Sequence, residues 1–228
     1  MLIEDLKKNT YPGRGIIVGK TASNLACLAY FIMGRSSNSR NRIFVKKNDD
    51  LYTEAYDASK LEDPSLIIYS PVKQYKNYII VSNGDQTDTI YDYLIQGKSF
   101  IEALNTREYE PDSPNYTPRI SALIDIIDND FTYKMSILKK EDDACLREFY
   151  DYDSKPGIGH LIHTYKEDGN PLISFKGEPI EVPIDEDINI FTDRLWNSLN
   201  EDNKISLYVR YIDLKDNSYK DIIKNKNG

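Results

Sequence analysis

Apolar positions in this 228-residue chain mostly recur at the two-residue period of strands, and the helical period surfaces in only three places. Residues 15–20 and 25–33 are apolar runs joined by the polar turn Thr21-Ala22-Ser23-Asn24, which predicts two paired strands. Residues 42–46, 51–56, 66–69 and 78–82 continue the series, punctuated by Asn/Asp clusters and by Pro64 and Pro71. The period then changes. Ile90, Tyr91, Leu94 and Ile95 pair at i,i+4, and Gly97 stops the helix they imply. Ser99 and Glu102 form a capping box that opens a second short helix through Leu104.

After the Pro-rich residues 110–118, strands resume over 119–127, 131–138, 145–153 and 160–165. Residues 166–183, rich in Gly and Pro, predict a long loop. Asp185-Glu186-Asp187 puts negative charge at a helix start, and Ile188, Phe191, Leu195 and Leu199 mark one helical face. A last strand over 205–211 precedes a polar tail. The sum is an α+β body of antiparallel sheets covered by helices, one domain over residues 1–228 with frayed ends at 1–10 and 214–228.

Composition narrows this little. With 40% apolar and 29% charged residues the chain is neither disordered nor membrane-embedded, and no apolar run nears the roughly 20 residues that span a bilayer. The acids inside the short apolar start, Met1 to Lys8, are unlike a signal peptide. Cys27 and Cys145 lack CxxC spacing and read as buried thiols of a reducing compartment, so a cytoplasmic protein is expected.

Charge changes the picture more. The formal net charge is −8, yet residues 6–48 hold nine Lys/Arg and no Asp or Glu. These converge on Gly34-Arg35-Ser36-Ser37-Asn38-Ser39-Arg40-Asn41-Arg42, directly after the apolar run. Such a segment suits a compact phosphate or carboxylate, because the acidic remainder repels nucleic acid. The planar fork of Arg matches phosphate oxygens in pairs. The plain alternative is a solvated hairpin loop, against which Arg35 starts next to the core.

Two further constellations stand out. Ser82-Asn83-Gly84-Asp85-Gln86-Thr87-Asp88 is a strand end running into a helix start, either a tight turn with a cap or a place where backbone approaches a ligand. Its two acids disfavour phosphate and suit ribose hydroxyls, an amide or a partner Arg. Residues 108–119 place a carboxylate, a Tyr and an Arg on one Pro-restricted segment, which is either a stiff surface loop or a holder of catalytic groups. His160 and His163 point to opposite faces of a strand and make no metal pair. The eighteen tyrosines fit sheet packing better than base stacking. Gly13-Arg14-Gly15 is no phosphate loop, because a strand rather than a helix follows.

In order along the chain, several segments carry a resemblance. They are Gly13-Arg14-Gly15 through Lys20, Ala29-Tyr30 through Ser36, Ser39-Arg40-Asn41-Arg42, Pro64 to Tyr69, Val81 to Asp88, and Glu110 to Ile120. Together they resemble the archaeal-type IMP cyclohydrolase family and its bacterial relatives over roughly residues 11 to 125, and more loosely through Lys155 to His160 and Phe175 to Pro179. The resemblance implies a four-layer αββα fold related to the N-terminal-nucleophile hydrolases. It also implies ring closure of a formylated imidazole-carboxamide ribonucleotide to IMP, with loss of water, in purine synthesis. No cofactor or metal is implied, and the partner is a small purine ribonucleotide rather than nucleic acid or membrane, with a homo-oligomer left open.

On that resemblance Arg35 contacts the developing oxyanion or carboxamide oxygen, Tyr69 donates a proton near the formyl oxygen, and Glu110 accepts one from the attacking nitrogen. Arg42, Arg40 and Arg119 clamp phosphate or substrate, and Asn83, Gly84, Thr87, Asp88 and Thr117 line the base or ribose pocket. Two departures stand beside this: archaeal members tend to carry Ser-His in the turn that here reads Asn83 to Asp88, and the Arg35 to Arg42 loop is longer. The alternatives are a non-catalytic nucleotide-binding protein of the same fold and an amidohydrolase with a shifted substrate. A true N-terminal nucleophile would require processing to Thr10, since residue 2 is Leu.

Overall fold

The computed structural model describes residues 6–61, 64 and 66–228. Its strands are β1 (Arg14–Lys20), β2 (Leu25–Met33), β3 (Arg42–Lys47), β4 (Asp50–Ala55), β5 (Val72–Tyr75), β6 (Tyr78–Ser82), β7 (Arg119–Ile127), β8 (Asp130–Glu141), β9 (Ala144–Asp153), β10 (Ile158–His163), β11 (Ile180–Pro183), β12 (Lys204–Asp213) and β13 (Tyr219–Asn225). The helices are α1 (Ser37–Arg40), α2 (Gln86–Ile95), α3 (Phe100–Leu104) and α4 (Ile188–Ser198). One antiparallel sheet runs β11-β10-β1-β2-β12-β13, and the other runs β3-β4-β5-β6-β7-β8-β9.

Alternation along β2 shows how the layers form. Ala26, Leu28, Tyr30 and Ile32 enter a core shared with Val72, Val81, Ile120, Ala122 and Ile137 of the second sheet. Cys27, Ala29, Phe31 and Met33 face the other way, onto Phe191 and Leu195 of α4. On the far side Ile80 and Leu123 meet Ile90 of α2 and Phe100 of α3. The order is therefore helix, sheet, sheet, helix. Strands buried on both faces are apolar at consecutive positions, which is why 25–33 reads as an unbroken run. Among the described residues no helix is long and apolar enough to cross a membrane.

Four expectations need correction. Residues 66–69 form a turn rather than a strand: the amides of Ile67 and Ile68 donate to the Pro64 carbonyl, and the Thr53 hydroxyl donates to Ile67 O and Tyr69 O. The polar tail after residue 214 is not frayed, since β13 pairs with β12 from Ser206–Asn225 to Ile212–Tyr219. Asn225 also bonds both backbone groups of Phe44 on β3, tying the two sheets together. Of the expected N-terminal tail, residues 1–5 lie outside the described residues and Leu6 is buried in the outer core. Cys27 is buried as expected but Cys145 is half-buried on β9, and both are free thiols. The sequence reading also missed β5 and β11, each only four residues long.

Candidate active site

A cavity of about 330 Å³ opens where the C-terminal end of β2, α1 and the 110–117 loop meet. Its wall includes Tyr11, Arg14, Arg35, Ser36, Asn38, Ser39, Arg42, Glu110, Asp112, Asn115, Thr117 and Tyr165. Basic and hydroxyl groups thus face a short acidic loop.

The β2–β3 connection builds one side. Gly34 directly follows β2 with Ser39 Oγ only 2.4 Å from where a Cβ would sit, so the absent side chain lets α1 fold down onto the strand. Ser36 caps α1 in a reciprocal pair with Ser39. Arg42, the first residue of β3, is 1% exposed; its Nε donates to Ser39 O at 2.8 Å, while its Nη1 is buried without a partner. Burial and the neighbouring Arg14 lower the Arg42 basicity. Arg35 occupies the rim, its side chain 35% exposed. It lies 4.7 Å over the Tyr11 ring and donates to Asp168 Oδ1 at 2.6 Å and Gly169 O at 2.9 Å.

The opposite side comes from the Pro-rich segment. The Glu110 amide donates to Thr117 O at 2.9 Å, closing the loop at its base. The Glu110 side chain is 2% exposed, and its charged neighbour is Arg14, with Nη2 3.7 Å from Oε2. Burial raises the Glu110 carboxyl above the usual range, against the opposing pull of Arg14 and Arg119. Burial also works against the Arg14 charge, but the Glu110 carboxylate opposes it and keeps the guanidinium protonated. Arg14 Nε and Asn38 Oδ1 are further buried atoms without partners. Unmatched buried donors and acceptors in one cavity mark a place for a polar ligand.

Of the residues singled out in the sequence, Arg35, Arg42, Glu110 and Thr117 line this cavity together. Tyr69 is not among the lining residues: its hydroxyl bonds the buried Tyr30 hydroxyl at 2.7 Å, near enough to Arg14 and Arg42 to influence both. Arg40 turns away, donating to Gly34 O and Asn203 Oδ1. Asn83, Gly84 and Thr87 form a buried network of their own. Asn83 bonds Pro118 O and accepts from Ile120 N, and Thr87 bonds Ser82 and Gly84 O. Arg119 joins that network through Asp85 and Gln86, and Asp88 pairs with Lys73. These residues hold the start of β7, hence the base of the Glu110 loop, rather than the cavity wall.

Arg14, Tyr11 and Tyr165 also line the cavity, although the sequence alone does not mark them as site residues. The available signal was a lone cation opening an apolar strand, which β1 delivers to the cavity without any loop motif.

A family model described as IMP cyclohydrolase-like protein matches residues 11–217. The IMP cyclohydrolase of Methanocaldococcus jannaschii is 32% identical over 178 residues, covering 75% of this chain and 82% of the relative. That of Methanopyrus kandleri is 31% identical over 163 residues, covering 69% and 76%. That of Methanococcus aeolicus is 29% identical over 160 residues, covering 68% and 74%.

Proposed function

The chain belongs to the IMP cyclohydrolase-like family, and on that premise we propose that it closes the purine ring of IMP from the formylated imidazole-carboxamide ribonucleotide. One observation carries the reading at the site. A buried carboxylate, Glu110, faces the same cavity as the guanidinium groups of Arg14 and Arg42, each with a buried, unpartnered N–H.

The reaction needs little more. The carboxamide nitrogen gives one proton to Glu110 and bonds to the formyl carbon, the formyl oxygen takes up a proton, and the resulting carbinolamine loses water. A carboxamide nitrogen is a weak nucleophile, so folding the two substituents together supplies much of the rate, and proton transfer adds about 10²–10⁴-fold. Arg14 and Arg42 face the charge that develops on the formyl and carboxamide oxygens. Arg35, on the rim beside Ser36, Asn38 and Ser39, grips the 5′-phosphate in this reading rather than the oxyanion, because its exposure and its Asp168 partner set it apart from the buried centre. Tyr69 does not line the cavity, so in this reading it stands beside Arg14 and Arg42 in its bond to Tyr30 rather than donating directly to the formyl oxygen. The layering favours the relation to N-terminal-nucleophile hydrolases, and the free thiols favour the cytoplasm.

A spectrophotometric ring-closure assay of the purified, metal-free protein tests this. Wild type should form IMP well above the uncatalysed rate, and Arg42→Ala should lower kcat/KM at least about 100-fold by removing a charge-stabilising donor. Product formation no faster than in buffer would refute the reading.

A further inference from the structure

Tyr165 follows β10, is almost fully buried and lines the cavity with its hydroxyl bonded to Thr117 of the same wall, yet the ring-closure chemistry above gives it no task. Its surroundings dictate its hydrogen-bonding sense. Tyr165 Oη lies 2.5 Å from Thr117 Oγ1, and Thr117 Oγ1 in turn bonds Asp112 Oδ2, while the Thr117 amide donates to Asp112 Oδ1 at 2.6 Å. Thr117 has one hydroxyl proton and two oxygen neighbours. A carboxylate oxygen only accepts, so that proton goes to Asp112. Tyr165 must then donate to Thr117 Oγ1, because the reverse order would leave two acceptor oxygens in contact with no proton between them. The phenol proton is thus spent inward and lone pairs remain for the cavity. Burial also pushes the Tyr165 phenol up, which keeps it protonated. Among the described residues the hydrogen bond made by Tyr165 Oη is this one, in which it donates to Thr117.

We infer that Tyr165 contacts the substrate and product as an acceptor, taking the hydrogen that the carboxamide nitrogen keeps, with its polarity set by Asp112 through Thr117. The inference rests on the ring-closure reading. Two hydrogens leave the carboxamide nitrogen in different ways: one goes to the base, and the other stays on the ring nitrogen of IMP. Glu110 and Thr117 close one loop through their backbones, so the base and the end of the relay flank the same part of the cavity. An acceptor here matches an N–H in substrate and product alike, and opposes a ring nitrogen that carries a lone pair. Because ground state and product share the contact, its loss weakens binding more than turnover.

Calorimetric binding of IMP, whose ring nitrogen bears that hydrogen, and of AMP, whose corresponding nitrogen does not, reads the effect directly. Wild type should favour IMP. Tyr165→Phe should weaken IMP about 10-fold, lower the IMP-over-AMP preference by a similar factor, and leave kcat within a few-fold. Thr117→Val, which frees the phenol proton to face the cavity, should lower the preference too, and Thr117→Ser should restore it. A preference unchanged in Tyr165→Phe, or a loss confined to kcat, would overturn the inference while wild-type ring closure leaves the parent reading standing. A wild type that neither forms nor binds IMP would remove both.

Discussion

In the proposed reaction Glu110 and Arg14 carry the chemistry at the scale of single residues. A carboxylate taken out of water prefers its neutral form, and here the opposing cation is 3.7 Å away rather than in direct contact. The carboxyl therefore stays above its ordinary range. A base must be ionised to act, so kcat/KM should rise with pH through a limb lying above the usual carboxylate value, and Glu110→Gln should remove that limb. The same variant should lower kcat at least about 100-fold with KM little changed; pH-rate profiles of the two proteins check both statements, and near-normal turnover would take Glu110 out of the mechanism. The sequence pointed to Glu110 through the family resemblance, while the Pro-restricted segment alone marked only that a carboxylate is held there. Arg14 was not legible, because nothing local tells a strand cation aimed at a cavity from one aimed at solvent.

Individual elements set how closely these groups approach. The β2–α1 junction depends on Gly34, where an added methyl would strike Ser39 Oγ and Ile205 Cδ1. Gly34→Ala should lift α1 with Ser36, Asn38 and Ser39 and weaken IMP binding about 10-fold or more, since displacements near 1 Å can cost up to about 100-fold. Calorimetry together with a thermal melt would separate that effect from unfolding, and unchanged affinity would show that α1 takes no part in holding the ligand. The caps of these elements were readable, as Ser99–Glu102 and Asp187 show, because capping is a contact between near neighbours in sequence. Residues 66–69 misled for the opposite reason. Their apolar content suggested a strand, but the carbonyls of Ile67 and Tyr69 are taken by Thr53, distant in sequence.

Across the whole molecule, a charge cluster around a buried Arg joins the sheets without lining the cavity. Arg210 on β12, 1% exposed, bonds Asp221 on β13 at 2.7 Å and Asp49 O at 2.9 Å, and Lys46 of the opposite sheet reaches Asp221 at 2.6 Å. Burial alone would raise the Asp221 carboxyl, but Arg210 and Lys46 outweigh it and hold it below its ordinary value. Asp221→Ala should leave Arg210 buried and unpaired, costing about 3–5 kcal/mol and about 10 °C in Tm at neutral pH. The stabilisation from a depressed carboxyl is complete above its unfolded value and fades as pH falls through the folded one. The gap between wild type and variant should accordingly narrow below about pH 4. Equal melting temperatures at pH 7 would show that Arg210 finds water instead.

Sequence by itself determined most of the strand and helix alternation, the buried face of the helix at residues 188–199, the helix caps at Ser99 and Asp187, the basic segment around Arg35 and Arg42, and the family resemblance. All of these are local or additive: a period, a cap or a run of charge needs no knowledge of distant residues. Tertiary structure alone decided that Arg14, Arg42 and Glu110 share one cavity while Arg40, Asn83, Gly84, Thr87 and Asp88 do not. It likewise turned the polar tail into β13 and gave Tyr165 its hydrogen-bonding sense. Those outcomes depend on two sheets stacking in one register, which brings together side chains that no spacing along the chain relates.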